Sequence, residues 1–130
     1  MLARAGLDAI ELSGGFLFNR KSPPSRMGIN TEDKEAYFRK DARAFKRELD
    51  IPLILVGGIR SFEVAERMVE EGVADYISMS RPFIWEPDLI NRWKAGDRNK
   101  AKCKSDNLCF KTGLEGNGIY CATKQKEKAQ

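Results

Sequence analysis

With 130 residues, 42% hydrophobic and 32% charged, the chain has the composition of one folded domain with a modest core, neither disordered nor collagen-like. Its longest apolar runs, around Ile54-Leu55-Val56 and Phe83-Ile84-Trp85, fall far short of the roughly 20 residues that span a bilayer. No charged-then-apolar leader opens it, so a cytoplasmic protein without a membrane partner is expected. The net charge of +4 is uneven, because the part from Arg92 onward carries +6 and the rest −2.

Met1 to Gly6 reads as the end of a preceding helix. Asp8-Ala9-Ile10-Glu11-Leu12 is short, partly alternating and closed by Ser13-Gly14-Gly15, the pattern of a strand running into a functional loop. Phe16 to Asn30 has two prolines, Gly28 and no period, and is expected to be a long surface loop on the substrate side. From Thr31, Phe38, Ala42, Phe45 and Leu49 recur at helical spacing, with Asn30 or Thr31 as N-cap, and Asp50-Ile51-Pro52 ends that helix. Leu53 to Val56 reads as a strand buried on both faces, stopped by Gly57-Gly58. Ser61 is expected to cap the next helix, with Phe62, Ala65 and Val69 on one face, Met68 in the core and Gly72 as the stop. Tyr76 to Ser80 is the third strand, Met79 facing inward, followed by Arg81-Pro82 and a short helix from Pro87 to Gly96.

Strands alternating with helices, without hairpin signals, imply parallel strands and crossover connections. The polar and glycine residues fall just past strand C-termini, where (β/α)8 enzymes keep their chemistry. A complete barrel needs about 250 residues, so the expectation is an α/β fragment: the C-terminal part of a (β/α)8 TIM barrel, about strands 6 to 8 with their helices, over residues 1–97. A basic, cysteine-containing segment follows over 98–130. A small open α/β sheet is the alternative arrangement.

Two constellations suit phosphate. In Val56-Gly57-Gly58-Ile59-Arg60-Ser61 a strand ends in two glycines before a helix start, so backbone N–H groups can approach an anion with no Cβ in the way. A turn that needs positive φ explains the glycines equally well. Arg60, at the helix start, is expected to point to solvent. In Ser78-Met79-Ser80-Arg81-Pro82 an arginine lies just past a strand and can pair with phosphate, or with a carboxylate such as Glu86. The two motifs on consecutive strands match the phosphate loops after barrel strands 7 and 8. The basic tail offers only Trp93, Phe110 and Tyr120 for stacking, so nucleic acid is disfavoured, and Lys124 to Lys128 reads as a solvated, partly frayed end.

Ala9 to Gly15, Tyr37-Phe38, Ile51 to Ser61, Gly72 to Ile77, Ser80 to Ile84 and Glu86 to Ile90 together resemble the NADH:flavin oxidoreductase/Old Yellow Enzyme family, in order and in spacing. The resemblance implies an FMN phosphate held by Gly57, Gly58, Ile59, Ser80 and Arg81, with NAD(P)H as reductant. Hydride passes from flavin N5 to a small activated alkene, enone or related acceptor. The family's substrate-binding His/His or His/Asn pair lies earlier in the barrel, and this chain has no histidine. Its catalytic residues are therefore unknown and expected upstream of Met1, its expected partner is the N-terminal half of the barrel, and alone it is expected to be inactive and to self-associate.

Cys103, Cys109 and Cys121 are similar to the cysteine cluster of the trimethylamine dehydrogenase and dienoyl-CoA reductase branch, where four cysteines hold a [4Fe-4S] cluster. Here Asp106 stands at the second cysteine position, and a carboxylate is a harder, weaker partner for iron–sulfur chemistry. Residual thiols are the favoured reading, ahead of an Fe–S remnant and of a zinc site made by the three cysteines with Asp106. Two other readings of the whole remain: a non-flavin phosphate-binding barrel fragment, and a non-catalytic interaction or electron-transfer domain.

Overall fold

The computed structural model describes residues 5–16 and 23–129. Residues 1–4, within the segment expected to close a preceding helix, and residues 17–22 of the expected long loop lie outside the described residues.

Three short strands, β1 (Ile10–Leu12), β2 (Leu53–Leu55) and β3 (Tyr76–Ile77), form one parallel sheet in the order β1-β2-β3. Ile10, Glu11 and Leu12 face Leu53, Ile54 and Leu55, while Ile54 and Leu55 face Tyr76 and Ile77. Sequential parallel strands joined by helices are the βαβ arrangement the alternation implies. The second and third strands are shorter than their apolar runs suggest. The chain leaves the ladder where Gly57 and Gly58 take φ of 129° and 73°, and Ser78 makes the last sheet contact through its N–H to the Leu55 carbonyl at 2.9 Å.

The helix expected from Thr31 starts later. A single 3-10 turn at Glu32–Lys34 is followed by a break, and α1 runs over Arg39–Glu48. Ala36 has φ of 47°, which no right-handed helix accommodates, and the adjacent Glu35 carboxylate is committed to the Arg60 N–H. Helix α2 (Phe62–Glu70) buries Val64 and Met68, so Met68 is core, whereas Val69 is exposed. The buried stripe is rotated by one residue from the expected one. Gly72 at φ 65° closes α2, with Val73 N–H reaching back to the Met68 carbonyl at 3.0 Å.

The main core joins Leu12, Leu53 and Leu55 of the strands to Phe38 and Ala42 at the start of α1 and to Val64 and Met68 of α2. Leu53 and Leu55 share one face of the sheet and are fully buried, each contributing about 1.5 to 3 kcal/mol, whereas Ile54 on the other face is only half-buried, so the strand is not enclosed on both faces as expected. An unforeseen short helix, α3 (Arg81–Trp85), follows β3 at once; Pro82 in its first turn pre-sets φ and has no N–H to satisfy. Helix α4 (Leu89–Lys94) places Leu89 and Trp93 in a second cluster with Ala101, against which Phe62 and Phe83 pack.

Helices α5 (Leu108–Leu114) and α6 (Ala122–Lys128) follow. The stretch expected to fray is thus helical, and its first turn is capped by Cys121 Sγ, which accepts from the Lys124 N–H at 3.5 Å. Among the described residues no helix is long and apolar enough to cross a membrane.

Candidate functional site

Gly57, Gly58, Ile59, Ser80 and Arg81 all line one cavity of about 480 Å3 beyond the C-terminal ends of β2 and β3. Pro23, Pro24 and Ser25 of the long loop form part of its wall, with Tyr37, Met79 and Phe110. Its size falls in the range of small-molecule sites.

The two glycines are required here by the turn and by the close approach of two aromatic rings. Their φ values are positive, and a Cβ on Gly58 would lie 2.8 Å from Tyr37 Cε1, while one on Gly57 would lie 3.0 Å from Phe38 Cδ2. The Tyr37 ring is thereby pressed on the bare backbone, held by its hydroxyl donating to the Pro24 carbonyl at 3.0 Å and by Arg26 stacked 4.5 Å from its centroid. Among the described residues, the N–H groups of Gly58 and Ile59 meet no acceptor.

The start of α2 is not open to an anion, because the chain fills it with its own carboxylate. Glu35, 0% exposed, accepts from the N–H groups of Arg60 at 2.7 Å and Ser61 at 2.9 Å through Oε2. The Ser61 hydroxyl donates to Oε1 at 2.7 Å, and Lys100 Nζ lies 3.3 Å away. Ser61 occupies the N-cap position without capping its own helix. The amides of Arg60 and Ser61 are thereby taken, while Arg60 itself still lines the cavity with Gly58, Ile59, Ser80 and Arg81.

Arg60 does not point to solvent. It is 1% exposed, and its Nε and Nη2 donate to Ser105 Oγ at 2.8 and 2.5 Å, with Nη1 on the Ile59 carbonyl at 3.2 Å. Burial pulls its pKa below the ordinary arginine value, and the neighbouring Cys103 opposes that shift.

Arg81 is 8% exposed and is not paired with Glu86, which holds Arg92 instead at 2.7 Å. Its Nη1 donates to the Arg26 carbonyl at 2.9 Å and to Asn107 Oδ1 at 2.5 Å. Its Nε and Nη2 have no partner among the described residues. Neither is a fully enclosed orphan, since Arg92 Nη2 alone has that status there. Ser80, exposed at the mouth, uses its carbonyl to start α3.

The cysteines do not assemble a metal centre. Cys103, Cys109 and Cys121 are free thiols, and no group of three Cys, His, Asp or Glu among the described residues could hold a metal ion. Of the expected ligand set of Cys103, Cys109 and Cys121 with Asp106, two members already accept hydrogen bonds. Asp106 Oδ1 accepts from Leu108 N–H at 3.1 Å and Oδ2 from the Thr123 hydroxyl, while Cys121 Sγ caps α6. Burial pushes the Cys109 thiol pKa up, with Cys103 adding to the shift. As placed among the described residues, these side chains do not converge as a ligand set.

Sequence reasoning missed Glu35, Ser105 and Asn107. Ser105-Asp106-Asn107 carries a turn signal, and Ser105 and Asn107 do take φ of 56° and 59°, but their arginine partners are 45 and 26 residues away.

The family model described as NADH:flavin oxidoreductase / NADH oxidase matches residues 5–100. A 4,4'-dithiodibutanoate disulfide reductase of Rhodococcus erythropolis is 33% identical over 83 residues, covering 64% of this chain and 20% of that protein. An NADH oxidase of Thermoanaerobacter brockii is 32% identical over 111 residues, covering 83% of this chain and 16% of that protein. A multifunctional alkene reductase/demethylase of Caballeronia cordobensis is 33% identical over 69 residues, 52% of this chain and 10% of that protein. The chain spans about a fifth or less of the length of these relatives.

Proposed function

Because this chain belongs to the NADH:flavin oxidoreductase / NADH oxidase family, we propose that it supplies the phosphate-anchoring part of an FMN site. The whole enzyme would be an NAD(P)H-dependent oxidoreductase of the Old Yellow Enzyme type, with β1 to β3 as about strands 6 to 8 of a (β/α)8 barrel. The observation that carries this reading is that the five phosphate-site residues named from sequence line one cavity, to whose wall a buried arginine brings an edge unpartnered among the described residues.

The residues suit the group. Gly57 and Gly58 line the cavity, Gly58 and Ile59 offer N–H donors, and Arg81 offers a charge-assisted, bidentate-capable fork. Bound there, FMN supplies the two-electron hydride chemistry between NAD(P)H and acceptor. What this chain does is hold the phosphate, shield it with Pro23, Pro24 and Tyr37, and present Val56, Met79 and Phe110 as apolar wall. The relatives' names include a disulfide reductase and an alkene reductase. An activated alkene, enone or related small acceptor is the chemistry proposed here, chosen by residues from the N-terminal half of the barrel, which is this chain's proposed partner.

Flavin fluorescence titration tests the reading. FMN should bind more tightly than riboflavin, and Arg81→Ala should weaken FMN binding by roughly ten- to a hundred-fold, the loss of about 1.5 to 3 kcal/mol for a charged hydrogen-bonded contact. Arg43→Ala, which removes an equal charge from a surface pair with Glu71, should change it little. Inorganic phosphate should compete with FMN. Equal affinity for FMN in the Arg81→Ala variant and the unmodified protein would refute the assignment, and binding of other phosphate esters without preference for flavin would favour a non-flavin barrel.

A further inference from the structure

We propose that Asn107, on the segment beyond the sheet, is a positioning residue that sets the phosphate-facing edge of Arg81. Flavin-phosphate recognition thereby depends on a stretch outside the two strand-end motifs. This inference rests on the FMN reading and adds to it a residue and a mechanism of selectivity.

A guanidinium is a rigid planar fork with five N–H donors, so fixing one terminal nitrogen fixes the direction of the rest. Both hydrogens of Arg81 Nη1 are committed, one to the Arg26 carbonyl and one to Asn107 Oδ1. The three remaining N–H bonds, on Nε and Nη2, are left unpartnered among the described residues on a side chain that is 8% exposed and lines the cavity. The clamp that creates this edge is itself held. Asn107 Oδ1 also accepts from Ser25 Oγ at 3.1 Å, and its Nδ2 donates to the Ser25 carbonyl at 3.1 Å. Its own backbone has φ 59°, a conformation asparagine tolerates better than most residues.

The chemistry of the clamp matters as much as its place. The Asn107 amide is a neutral acceptor, so it orients Arg81 without cancelling its charge. A carboxylate there would hold the arginine more firmly and compete with the phosphate for it. Two residues earlier, Ser105 Oγ takes the Nε and Nη2 of Arg60, and its carbonyl accepts from Gly28 N–H at 3.1 Å. One short stretch thus engages Nε and Nη2 of Arg60, the same two nitrogens that are without a partner among the described residues on Arg81.

The ratio of riboflavin to FMN dissociation constants, measured by flavin fluorescence in the full chain, reads out phosphate recognition alone. Asn107→Ala should lower that ratio by about tenfold, the effect of one hydrogen bond to a charged group. Asn107→Asp, which keeps the shape and the tolerance of positive φ, should lower it as much or more by neutralising Arg81. In both variants riboflavin affinity should stay within about twofold of the unmodified protein, whereas a merely structural role would weaken both flavins alike and leave the ratio unmoved. If Arg81→Ala abolishes the FMN preference while both Asn107 variants retain it, the positioning role is overturned and the FMN reading stands. If Arg81→Ala itself leaves the preference intact, both are overturned.

Discussion

Replacing Glu35 with glutamine tests how the start of α2 is held, and with it the claim that this helix end is closed to phosphate. The carboxylate is fully buried and receives the Arg60 and Ser61 amides on Oε2, the Ser61 hydroxyl on Oε1 and the Lys100 ammonium at 3.3 Å. Glutamine can keep its carbonyl oxygen under the two amides, but those bonds lose charge assistance, about 1 kcal/mol each. The Ser61 hydroxyl can turn to accept from the new amide. Lys100, with a side chain 36% exposed, loses a partner worth roughly 0 to 1 kcal/mol after solvent screening. Glu35→Gln should therefore destabilise the fold by about 2 to 3 kcal/mol. Glu35→Ala, which leaves two buried N–H groups bare, should cost about 3 to 5 kcal/mol. Urea unfolding followed by the fluorescence of Trp85 and Trp93 reads both values. A Glu35→Gln variant within about 0.5 kcal/mol of the unmodified protein, below even one lost charge-assisted bond, would refute the capping role.

Asp75 accepts from Lys46 Nζ and from Leu53 N–H, and these, the lysine first, hold its pKa below the usual carboxylate value. A depressed folded pKa gives stability that is present above the unfolded value of about 3.9 and is lost as pH falls through the folded one. Asp75→Asn should thus be less stable than the unmodified protein near neutrality, with the difference closing below about pH 4; a pH-independent difference in urea midpoint would contradict this. Protein as isolated should hold iron and zinc well below stoichiometry. Asp106→Cys should raise iron uptake on anaerobic reconstitution; metal near full occupancy in the unmodified protein would show that the cysteines gather after all. Since β1 and β3 each end the sheet and Tyr76 is 60% exposed, the chain alone should self-associate or bind a supplied N-terminal barrel half. Size-exclusion chromatography showing a monomer over a wide concentration range would count against it.

What the sequence determined by itself is what local chemistry and period fix. Leu53-Ile54-Leu55 could be read as a buried strand because no polar residue interrupts it, and Gly57-Gly58 as its end because their backbone must go where side chains clash. Gly72 closed α2 because its backbone turns to positive φ, and Ser80-Arg81 could be placed at a strand's mouth by counting along the chain.

Only the tertiary structure decided where the charged side chains go. Glu35 sits in what reads as an amphipathic helix, yet two amides 25 and 26 residues away draw its carboxylate inward, and the helix begins four residues after it. Arg60 and Arg81 look alike in sequence, each just past a strand. Ser105 engages Nε and Nη2 of one, while Asn107 takes only Nη1 of the other and leaves its Nε and Nη2 without a partner among the described residues, because the returning chain brings different acceptors to each. A long flexible side chain carries no period, and its partner is chosen by what the fold places within about 3 Å of its end.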